Sequence, residues 1–167
     1  MCSSDLMDPW RKGFEPLLLA LKKVARPDGS GPVLLLVGQF GYAEFEKISR
    51  MGLRPSVRII GLTRDMIGPY IAADVTVLPT FYDPASKVLV ESMMMGTPVI
   101  GTAFDGSSDL VAPAEMPARG RVISDPWDVD GLARAITTLS DPGELSRCRA
   151  ATQGIAEQLS MRTHVER

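Results

Sequence analysis

Five short apolar runs, each separated from the next by a stretch of helical spacing, constrain this chain more than any other feature. The runs are Val33–Val37, Val57–Ile60, Val75–Leu78, Pro98–Thr102 and Gly120–Ile123. The first reads as a strand buried on both faces, because its apolar residues are continuous rather than alternating. Before it, Phe14, Leu17, Leu18, Leu21, Val24 and Ala25 recur at helical intervals, which predicts an amphipathic helix over residues 13–26. Further helices are expected over Tyr42–Met51, residues 64–73, Ser86–Met95 and Ser107–Val111, then from about Asp128 to Leu139 and from Pro142 to Leu159. Pro69 lies inside the second of these, so that helix should begin late or bend. Asp125 and Asp128 are candidate N-caps, and Asp141-Pro142 combines a cap with proline at the first helical position. Strands that alternate with helices form a parallel sheet covered on both faces, a doubly wound α/β domain.

The rest of the composition narrows the function classes. The 167 residues are enough for one domain with its own core. Eighteen Lys and Arg against twenty Asp and Glu give a net charge of −2, which excludes a nucleic-acid binder driven by bulk electrostatics. Cys2 and Cys148 are too few for a disulfide framework or a cysteine-based zinc site. His164, the single histidine, stands near the end of the sequence, so histidine-centred catalysis is not expected. No apolar run approaches the ~20 residues needed to cross a bilayer, and no signal-peptide core is present, so the chain reads as cytoplasmic.

Doubly wound sheets bind ligands beyond the carboxyl ends of their strands. That directs attention to the loops after Val37, Ile60, Leu78, Ile100 and Ile123, and to the segment entering the first helix. Val37-Gly38-Gln39-Phe40-Gly41 is a glycine-containing turn of no further specificity. The informative stretch runs from Thr80 to Ile100. Asp83 follows a strand, Pro84 fixes the loop, and Ala85, Ser86 and Lys87 stand at a helix entrance. Glu91 comes eight positions after Asp83, inside the helix. First-turn N–H groups lack internal acceptors and sit at the positive end of the helix dipole, so a phosphate placed there gains hydrogen bonds and field together. Asp83 could then meet sugar hydroxyls and Glu91 the vicinal hydroxyls of a ribose. Equally, Asp83 could cap the loop and Glu91 be a surface charge. Met93, Met94 and Met95 read as packing, and Trp10 and Trp127 as edge packing. Phe104-Asp105-Gly106-Ser107-Ser108 either closes on a ligand or merely connects.

These residues resemble the C-terminal, donor-binding domain of a GT-B glycosyltransferase of family 4, in the branch of lipopolysaccharide core glucosyltransferases. Four motifs fall in order over about residues 10–160: Arg11-Lys12-Gly13 leading into a helix, an A-A-D-V-x-V-x-P strand from Ala72 to Pro79, an acidic pair eight apart followed by G-x-P-V, and D-P-x-D-x-x-x-L-A-x-A-I from Asp125 to Ile136. The resemblance implies a Rossmann-like fold, one half of a GT-B enzyme. It implies that Lys12 and Arg11 neutralise the donor diphosphate, and that Asp83, in place of the family's first Glu, contacts the donor sugar. Ala85, Ser86 and Lys87 would offer backbone N–H groups, and Glu91 would hold the ribose. Arg11, Lys12 and Asp83 are thus the expected catalytic groups. No metal and no cofactor are expected, the donor being a nucleotide-diphospho-sugar with UDP favoured.

The implied reaction is retaining transfer of a hexosyl group to a saccharide or lipid-linked acceptor, which a missing N-terminal domain would bind. No nucleic acid partner is expected. The full-length protein could be peripheral at the inner face of the membrane. Residues 1–6 back-translate to the end of a common sequencing adapter and read as a cloning or assembly scar. Residues 7–167 then form the nucleotide-sugar-binding domain, truncated at both ends and inactive alone. Two other readings stay open: a non-catalytic α/β regulatory module, and a sugar-nucleotide epimerase of the same GT-B shape.

Overall fold

A computed structural model describes residues 9–26, 28 and 30–159; residues 1–6 and His164 lie outside these. Helix α1 (Phe14–Val24) leads to strand β1 (Leu34–Val37), helix α2 (Tyr42–Arg50) and strand β2 (Val57–Gly61). Then come α3 (Ile67–Ala72), β3 (Thr76–Val77), α4 (Lys87–Met94), β4 (Val99–Thr102), α5 (Ser108–Val111) and β5 (Gly120–Ile123). The chain continues as α6 (Val129–Leu139), α7 (Pro142–Thr152) and α8 (Ile155–Gln158). All strand pairs are parallel, as the alternation predicts, but they form two sheets: β1 with β2, and β3–β4–β5 in that order.

Successive residues of a strand face opposite sides, and β4 shows what that does for the core. Val99 packs with Leu78, Leu89, Met93 and Ile155 on one face, while Ile100 packs with Leu17, Ile123, Leu132 and Leu139 on the other. Both β4 residues are fully buried. Helix α1 serves two clusters at once. Leu17 and Ala20 join the core over the three-stranded sheet, and Leu18 and Leu21 pack with Leu36, Ile48 and Val57 of the two-stranded one.

Several local expectations are met by their stated causes. Helix α3 starts at Ile67, so Pro69 falls in its first turn rather than its interior. Asp128 accepts from the Gly131 N–H, and Asp141 from those of Gly143 and Glu144, as caps do. Asp125 instead accepts from the Trp127 N–H in the loop before α6.

Three further expectations differ. The predicted helix Pro142–Leu159 is two helices, because Gln153 is extended and Gly154 left-handed. The break turns Ile155 into the core beside Met93, and the buried Arg119 pins it with bonds to Ala151 O and Gln158 Oε1. Among the three methionines only Met93 is buried; Met94 and Met95 are about two-fifths exposed on the outer face of α4. Finally β1, expected to be buried on both faces, is only half-buried at Leu34, Leu35 and Val37. Among the described residues no helix is long and apolar enough to cross a membrane.

Candidate functional site

The segment Pro9–Gly13 is laid against the carboxyl end of β3. The Arg11 carbonyl accepts from the Phe81 N–H at 2.8 Å and from the Thr80 hydroxyl at 3.1 Å. Gly13 makes this approach feasible: its φ is +71°, and a Cβ there would overlap the Pro79 carbonyl. Arg11 donates from its guanidinium to the Tyr82 carbonyl. Lys12 turns inward, and its Nζ lies 2.6 Å from Asp83 Oδ2, with both side chains at most a tenth exposed.

The expected diphosphate cation and the expected sugar-binding carboxylate are therefore partners of each other. A buried lysine and aspartate are tolerable only when paired in this way. The pair sits directly before α4. Asp83 Oδ1 accepts from the Ala85 N–H at 3.3 Å, and the Ser86 side chain caps α4 by accepting from the Leu89 N–H. Of the three N–H groups expected to meet phosphate and sugar, those of Ala85 and Ser86 are thus engaged by carboxylates, Asp83 for the first and Asp105 for the second. Lys87 is exposed at the first position of the helix. Glu91 is exposed on α4 and accepts at 3.1 Å from the hydroxyl of Tyr70, whose ring is buried under α3.

The loop of residues 104–108, which by sequence either closes on a ligand or merely connects, holds Asp105, and this residue organises the candidate site. Its Oδ1 accepts from Ser86 N–H and Ser107 N–H, tying the loop after β4 to the entrance of α4. The Gly106 N–H also bonds Asp83 O. Asp105 is 1% exposed, and its Oδ2 has no partner among the described residues. Burial pushes its carboxyl above the usual value; the two backbone N–H bonds oppose this and the nearby Asp83 charge reinforces it. The one signal in the sequence was the placement of Asp105-Gly106 just after a carboxyl strand end, which any turn would share.

Three aromatic rings from separate loops close the same end of the sheet. Trp10 stacks on Phe81 at 5.0 Å between centroids, and Phe81 meets Trp127 at 5.6 Å. Edge packing is what both tryptophans do, with Phe81 between them.

Arg11, Lys12, Asp83, Ala85, Ser86 and Lys87 are thus gathered at the carboxyl end of β3, with Glu91 further along α4. A family model described as glycosyl transferases group 1 matches residues 1–141. The chain belongs to that family. Group 1 relatives include the lipopolysaccharide glucosyltransferase WaaG of Escherichia coli, 29% identical over 73% of this chain and 32% of its own length. The lipopolysaccharide core biosynthesis glycosyltransferase LpsE of Rhizobium meliloti is 32% identical over 86% of this chain and 40% of its own. The chain therefore spans about a third to two-fifths of these relatives. Among solved structures, that of WaaG superposes with a TM-score of 0.80 at 25% identity, covering 95% of this chain and 43% of that one. Anabaena HepE, solved with UDP, superposes with a TM-score of 0.73 at 25% identity over 89% of this chain and 41% of its own. The fold is that of a Rossmann-like half of a GT-B glycosyltransferase, doubly wound with helices on both faces.

Proposed function

We propose that this chain is the donor-binding half of a retaining glycosyltransferase that moves a hexosyl group from a nucleotide-diphospho-sugar to an acceptor hydroxyl. The observation that carries the reading is the Lys12–Asp83 pair set before the first turn of α4, at the carboxyl end of a parallel sheet, in a chain of this family. UDP as the base-bearing half of the donor rests on the HepE complexes with UDP and UDP-glucose.

An ammonium has three donors, so Lys12 can keep Asp83 and still face a phosphate oxygen. Asp83 holds that ammonium in one orientation before the donor arrives, which lowers the cost of ordering it on binding. As the bond from sugar to diphosphate breaks, negative charge grows on the leaving oxygen. Lys12, Arg11 and the first-turn N–H groups of α4 stabilise it there. Glu91, with Tyr70 behind it, takes the ribose hydroxyls. The acceptor, saccharide or lipid-linked, belongs to an N-terminal domain outside this chain, and the full protein works in the cytoplasm or at the inner face of the membrane.

The test is saturation-transfer NMR of the chain with uridine-, guanosine- and adenosine-diphospho-sugars. Binding of one nucleotide that Glu91→Ala abolishes supports the reading and names the base. A well-folded full-length protein that binds none of the three would sink it.

A further inference from the structure

Helix α3 contributes one side chain that reaches across to α4: the hydroxyl of Tyr70 lies 3.1 Å from Glu91 Oε2. The tyrosine has little freedom of its own. Its ring is 5% exposed and packs with Leu78, Leu89, Met93 and Val99. Leu89 and Met93 belong to α4, the helix that carries Glu91. The Tyr70 carbonyl accepts from the Thr97 hydroxyl at 2.7 Å, and the Thr97 N–H bonds Ser92 O near the end of α4. A phenol oxygen lies on the axis about which its ring turns, so ring flips leave it in place. A glutamate carboxylate hangs on a long side chain that loses much rotamer freedom when it is fixed.

The partner that Glu91 takes is informative. Lys87 stands four positions earlier on α4, where the two side chains are neighbours on the helix surface. A carboxylate serving only as a surface charge would meet that ammonium, yet no ion pair joins the two among the described residues. Nor does Glu91 need a protein donor for its own sake, because it is exposed to water. It bonds instead to a neutral hydroxyl whose position the core fixes.

We infer that Tyr70 is a positioning residue for the nucleotide: it sets the orientation of the Glu91 carboxylate, and through it the protein selects ribose over 2′-deoxyribose. The inference rests on the donor reading above, in which Glu91 takes the ribose hydroxyls. The phenol donates to Oε2 and uses one lone pair of a carboxylate that has about four such sites, so capacity for two further donors remains. The 2′- and 3′-hydroxyls of a ribose present two donors in a fixed relation. Accepting both requires a carboxylate held in one orientation. A 2′-deoxyribose offers a single donor, which a carboxylate of any orientation can accept. Tyr70 therefore matters where both hydroxyls are present and hardly at all where one is missing.

The test titrates the full-length protein calorimetrically with UDP, GDP and ADP and with the 2′-deoxy form of each. The wild type should bind the ribonucleotide of one base about tenfold tighter than its deoxy form, the worth of one hydrogen bond to a charged group. Tyr70→Phe keeps the buried ring and should stay folded. It should bring that ratio down to about two- to threefold, weakening the ribonucleotide and leaving the deoxynucleotide nearly unchanged. A tyrosine that merely packs would, when changed to phenylalanine, lower the urea midpoint and leave the ratio at its wild-type value, or weaken both nucleotides alike; either result overturns the inference. So does a wild type with no preference for ribose. The two readings fail separately. A wild type that binds none of the six nucleotides removes the donor reading and this inference with it. Nucleotide binding lost in Glu91→Ala, with the ribose preference kept in Tyr70→Phe, leaves the donor reading standing and removes only the role of Tyr70.

Discussion

At the scale of single residues, the Lys12–Asp83 pair ties the proposed donor binding to stability. Each group is buried and each helps to compensate the other. Removing one partner from such a pair costs about 3–5 kcal/mol, whereas replacing both by apolar groups of similar volume is often neutral. Lys12→Ala should therefore lower the urea midpoint of unfolding far more than the double change Lys12→Met with Asp83→Leu. The double variant should stay folded and bind no nucleotide. Equal losses in single and double variants would show that the pair is not coupled.

Asp105 makes a prediction about pH. Its folded carboxyl titrates above the unfolded value of 3.8, chiefly because it is buried. The unfolded chain therefore ionises first as pH rises, and stability falls through the window from 3.8 up to the folded value. Asp105→Asn cannot ionise. The stability of wild type relative to the variant should decline across that window and be level on either side of it, as read by urea denaturation at a series of pH values. A difference that stays constant across the whole acid range would refute the assignment. A lone aspartate after a strand is indistinguishable by sequence from any turn residue; only the fold brings its carboxylate to the N–H groups of Ser86 and Ser107.

At the scale of elements, glycines with the same backbone conformation should behave differently. Gly13 and Gly154 both have positive φ, which costs a residue with a Cβ about 1–2 kcal/mol. At Gly154 the added Cβ meets nothing within 4 Å, so Gly154→Ala should lose only that amount and leave nucleotide binding unchanged. At Gly13 the Cβ also meets the Pro79 carbonyl. Gly13→Ala should cost more and weaken donor affinity, because Arg11 and Lys12 are carried away from the end of β3. Denaturation and titration of the two variants side by side check this.

The same contrast explains what could be read in advance. Apolar runs and caps mark elements by local chemistry, so β5 and the starts of α6 and α7 were legible in the residues themselves. The break at Gly154 was not, since it depends on Ile155 finding a place beside Met93. The half-burial of β1 was not legible either, because it depends on what lies beside the strand rather than on Leu34–Val37. Of the proposed site, Lys12, Asp83 and Glu91 were named by their resemblance to the family's motifs. Their pairings with each other and with Tyr70 are tertiary facts.

At the scale of the whole molecule, the separation of β1–β2 from β3–β4–β5 divides stability unevenly. The two-stranded part leans on the rest mainly through Leu18 and Leu21 of α1, while the three-stranded part has helices packed on both faces. Regions with fewer buried apolar contacts open first. In the 167-residue chain, amides of residues 34–61 should therefore exchange faster than those of residues 99–139; uniform exchange would contradict this division.

The ring stack carries a practical consequence. The chain has two tryptophans, and Trp10 and Trp127 both touch Phe81 at the carboxyl end of the sheet. The tryptophan emission of this chain consequently originates from one place, the carboxyl end of the sheet, where Trp10 stands two residues before Lys12. It is a built-in optical reporter of the Pro9–Gly13 segment: it responds when that segment shifts, and it stays silent when β1 and β2 alone come loose.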